Sequence, residues 1–83
     1  MQLIKGQYNA QDALHILTQM VHVKIKFHES KIESSDNEED IKMRESRIKQ
    51  LQEDLYEFRQ LTQRHPHGIR LESTIQINPV AAV

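Results

Sequence analysis

Ile41, Arg44, Ile48, Leu51, Leu55, Phe58 and Thr62 follow one another at alternating steps of three and four along the chain. That spacing lines side chains up along one stripe of a helix, and a largely apolar stripe needs another helix to cover it. The pattern predicts a helix over 38–64, opened by the capping-box residues Ser35 and Glu38 and stopped by Pro66 and Gly68.

The segment before it is ambiguous at short range. Val21, Val23, Ile25 and Phe27 alternate with His22, Lys24, Lys26 and His28, as they would in a strand. The longer window favours a helix over 10–33, because Asp12, His15, Gln19, His22, Lys26 and Glu29 gather in one polar arc. Asn9 is placed to cap this helix, and Asp12 puts negative charge near its positive end. The two helices, joined by a turn at 34–37, predict an antiparallel hairpin.

The apolar arc of the first helix is wide, about 200° on a wheel of 100° per residue. It divides into two edges, Leu14, Val21, Ile25 and Ile32 on one side and Ile16, Met20, Val23 and Phe27 on the other. Ala13 and Leu17 fill the strip between them near the helix start, and Lys24, His28 and Lys31 occupy it further along. A helix with two apolar edges can meet two neighbours. One edge is expected to bury against Ile48, Leu51, Leu55 and Phe58 of the second helix. The other, with Ile16, Met20, Val23 and Phe27, is expected to meet a dimer mate or another protein. Lys24 and Lys31 would set the orientation there by pairing with acids such as Glu53, Asp54 or Glu57.

The ends read as strands. Ile69, Leu71, Ile75 and Ile77 alternate with polar residues over 69–77, and 3–8 is a shorter candidate. A hairpin brings these segments together, so they can pair antiparallel beneath it. The alternative is a mobile tail from His65 onward.

Composition sharpens the need for a partner. At 83 residues and 37% hydrophobic, the chain is a single small domain with a lean core. It has no cysteine, so disulfides and thiolate sites are excluded, and oligomerisation is the remaining common source of stability. The expected fold class is mainly α: a coiled-coil-like two-helix hairpin with short terminal strands, dimerising into a four-helix bundle.

Candidate chemistry changes the picture little. No two of the five histidines sit three or four residues apart, so no metal grip is expected. With two glycines, a glycine-rich phosphate cradle cannot be built. Eleven basic residues against twelve acidic ones, net charge -1, give no overall pull toward nucleic acid or anionic lipid. No apolar run is long enough to span a bilayer, and no secretory lead is visible, which points to the cytoplasm. The expected function is a non-enzymatic interaction or regulatory protein with no cofactor, acting through helix faces. A small nucleic-acid-associated regulator, using basic residues of an assembled dimer, is the alternative.

Overall fold

The structure, a computed structural model, describes residues 1–81. The chain runs β1 (Gln2–Tyr8), α1 (Ala10–Glu33), α2 (Glu38–Arg64) and β2 (Ile69–Thr74). α1 and α2 pack side by side, and β1 and β2 form a two-stranded antiparallel sheet. No helix among the described residues is long and apolar enough to cross a membrane.

Side-chain caps fix the helix starts. Asn9 accepts a hydrogen bond from the Asp12 N–H at 2.8 Å, as its position before the first apolar turn predicts. At α2 the cap differs from the expected capping box. Asn37 accepts from the N–H groups of Glu39 and Asp40, at 2.9 and 3.2 Å. Ser35 instead accepts from the Asn37 N–H, at 3.2 Å. The amide oxygen of Asn37 reaches two orphan donors at once, and Ser35 braces the turn that presents it.

The ribbon pairs Tyr8 with Ile69, Gly6 with Leu71 and Ile4 with Ser73, with an irregularity between Gln2 and Ile4. These six residues are partly covered, whereas Lys5, Gln7, Arg70 and Glu72 point to solvent. β2 ends at Thr74, short of the expected Ile77, although Ile75 still exchanges two hydrogen bonds with Met1. An isolated two-stranded ribbon is marginal in water. Here both strands rest on α1, and the Ala10 N–H donates to the Pro66 carbonyl at 3.3 Å.

What the fold lacks is a second layer. Its extents are 46 × 28 × 14 Å, so it is one helix thick, and α-helices with side chains are themselves about 10–12 Å across. Among the described residues Ala13 is the only buried apolar side chain. Ile48, Leu51, Leu55 and Phe58, expected as the intrachain core, are each only half-buried. Domains ordinarily enclose their core between two packed layers. This hairpin supplies one.

Candidate functional site

α2 meets α1 through His28, in the strip between the two apolar edges; Leu14, Val21, Ile25 and Ile32 of one edge are half-buried, whereas Val23 and Phe27 of the other are exposed. The two buried residues of α1 are Ala13 and His28, and both belong to that strip. The α2 stripe carries Arg44 and Thr62 among its apolar members. Arg44 needs acceptors wherever it is half-buried, and the strip offers His28. At the other end Thr62 is buried and satisfies itself by donating to the Arg59 carbonyl at 2.7 Å.

The Arg44 guanidinium ties the helices together near the turn. Its Nε donates to Asp40 Oδ2 at 3.3 Å, one helical turn back. Its Nη1 lies 3.2 Å from His28 Nδ1. An arginine can only donate, so Nδ1 accepts and His28 is neutral in this contact. Burial is the main force holding the His28 pKa below its ordinary value, and the charges of Lys24, Arg44 and Arg47 add to it. Neither His28 nor Arg44 was marked as a site by sequence reasoning. The available signal was their place in the two facing stripes, which makes a polar layer wherever the helices pack.

The hairpin has two broad sides. One carries the expected contact residues. Val23 and Phe27 are 71% and 46% exposed, while Ile16 and Met20 are half-buried. Lys24 and Lys31 are exposed, and both ammonium groups sit over the Phe27 ring, at 5.1 and 5.7 Å from its centroid. Arg44 approaches the same ring at 5.8 Å, and His28 meets it edge-on. The structure thus draws Lys24, Phe27 and Lys31 together, and Val23, one helical turn before Phe27, shares their side of α1. Of the acids expected to pair with these lysines, Asp54 already shares a cleft of about 190 Å³ with Lys24, Arg47 and His28 of the same chain. Asp54 Oδ1 accepts from Gln50 there, at 2.9 Å. Glu53 and Glu57 lie on the outer side of α2, around a shallow hollow with Lys49 and Tyr56.

The opposite side is aliphatic. Lys24, whose ammonium sits over Phe27, shares its cleft with Arg47 and Asp54, so helix periodicity turns the other edges of both helices to the remaining side. From α1 these are Leu14, Val21, Ile25 and Ile32; from α2 they are Ile41, Ile48 and Leu55. All are half-buried.

Among the described residues no three histidine or carboxylate side chains converge as metal ligands. Comparison with protein-family models, curated proteins and solved structures finds no match.

Proposed function

We propose that this chain is a small non-enzymatic interaction protein that works through the apolar faces of its helices, as a homodimer in which two hairpins build a four-helix bundle. The supporting observation is its surface. The chain exposes 6924 Å², against about 5,200 Å² for a compact protein of its 9.8 kDa mass. Its radius of gyration is 15.8 Å, where a compact chain of this length has about 12 Å. A second hairpin would supply the layer that each hairpin lacks. Two broad surfaces are open to such contact, the Ile16–Met20–Val23–Phe27 side with Lys24 and Lys31, and the aliphatic side. Sedimentation equilibrium tests the reading. A species of twice 9.8 kDa at micromolar concentration supports it, and a folded monomer at every concentration overturns it.

One observation favours a second reading, a regulator associated with nucleic acid. Lys24, Lys31 and Arg44 surround an exposed Phe27, and Arg47 lines the adjoining cleft. Aromatic rings flanked by cations are used to stack bases while neutralising phosphates. Asp40 and Asp54 beside Arg44 and Lys24 weaken this field. Binding to single-stranded RNA or DNA that falls steeply with added salt would favour this reading, and no binding at low salt removes it.

A further inference from the structure

Resting on the reading that the chain works as half of an assembly, we infer that a second copy of this chain seats on the aliphatic side of the hairpin, leaving the Phe27 side outside the contact. In a two-fold symmetric dimer each surface meets its own copy, so a patch must be complementary to itself. The Phe27 side fails that condition. It gathers Lys24, Lys31, Arg44 and Arg47, with Asp40 already engaged by Arg44 and Asp54 by Gln50. Setting two such sides face to face would confront one cationic group with its duplicate, which opposes association.

The aliphatic side meets the condition. On α1, Leu14, Val21, Ile25 and Ile32 advance by seven, four and seven residues. On α2, Ile41, Ile48 and Leu55 advance by sevens. Heptad-related steps of this kind keep a seam facing a partner helix along its whole length. These rows carry no charged side chain, and the intrachain packing leaves each member half-buried rather than enclosed. The extent of the side also fits. Two helices of at least 24 residues, each about 10 Å wide at 1.5 Å per residue, present roughly 700 Å², close to the ~800 Å² per partner of a standard stable interface.

The chain has no cysteine, so single thiols can report on each side separately. Ile25→Cys places one on the aliphatic side and Val23→Cys one on the Phe27 side. Maleimide labelling of Ile25→Cys should slow at least ten-fold as protein concentration rises through the dimer transition, while labelling of Val23→Cys stays constant. In parallel, Ile25→Glu/Ile48→Glu should give helical monomers and Met20→Glu/Phe27→Glu helical dimers. Protection confined to Val23→Cys, or monomers only from Met20→Glu/Phe27→Glu, would overturn the assignment of the side and leave the homodimer standing. Protection of both thiols, or of neither in a wild-type dimer, would also overturn it, by showing that the Phe27 side is covered or that the ribbons make the contact. A wild-type chain that is monomeric throughout overturns both inferences.

Discussion

His28 Nδ1 accepts a hydrogen bond from Arg44 Nη1 at 3.2 Å, and this contact is the polar layer between the helices. His28 is 7% exposed, so protonating it would remove the acceptor and place a second charge beside Arg44. Its folded pKa lies below the unfolded histidine value of about 6.5. The unfolded chain therefore takes up a proton first as the pH falls. Stability is complete above about pH 6.5, declines as the pH drops below it, and levels off once the folded pKa is passed. Thermal melts between pH 7.5 and 5.5 should show a falling midpoint in the wild type. A smaller slope is expected for His28→Gln, which keeps an acceptor for Arg44 and does not titrate; an equal slope would assign the pH dependence to other groups.

Arg44 gives a second prediction from the same layer. Arg44→Met leaves the buried imidazole nitrogen unpaired, and such a loss costs about 1–3 kcal/mol. Replacing both partners, Arg44→Met with His28→Leu, removes the orphaned group as well as the bond. The double variant should be more stable than Arg44→Met alone, because apolar replacement of a complete buried polar pair is often close to neutral. Denaturant melts arranged as a double-mutant cycle measure this coupling. Additive losses would show that the two side chains do not depend on each other.

The α2 cap can be tested by contrast with the turn serine. Asn37→Ala removes the acceptor for the Glu39 and Asp40 N–H groups and should cost about 1 kcal/mol. For a domain of this size that is a fall of roughly 4–8 °C in Tm. Ser35→Ala removes one bond within the turn and should cost less. The reverse order would restore Ser35 as the cap.

Ala13 marks where the packing is tightest. It is fully buried, at 0% exposure, at the end of the hairpin where the ribbon rests on α1. Ala13→Leu should destabilise by about 1–3 kcal/mol, since a larger side chain must push its neighbours apart. A neutral effect in a melt would mean that space exists there.

The elements themselves were legible in the sequence, for definite reasons. The α2 stripe and the polar arc of α1 are long periodic signals, and the breaks at 34–37 and at Pro66 are local ones. The polar contact between the helices was not legible. A wheel shows that the apolar arc of α1 has two edges, but not that Arg44 meets His28 between them. Nor does periodicity reveal thickness. Leu51 and Leu55 have the spacing of core residues, yet they stay half-buried because the described residues form a slab only 14 Å thick. The Asn37 cap was overlooked because Ser35 and Glu38 fit a familiar motif, while the side chain nearest the first helical N–H groups captured them. Of the acid–base pairs spaced four apart at 38–42, 40–44 and 45–49, only Asp40–Arg44 closes among the described residues. The other two stand exposed, where such pairs stabilise little.

If this chain is one layer of a two-layer dimer, small-angle X-ray scattering with mass calibration over a dilution series will show it. At the higher concentrations the particle should have twice the 9.8 kDa mass and be about 10 Å thicker than the 14 Å slab, since packed helices stand about 8–10 Å apart. A 9.8 kDa particle that keeps the 46 × 28 × 14 Å shape at every concentration would contradict it.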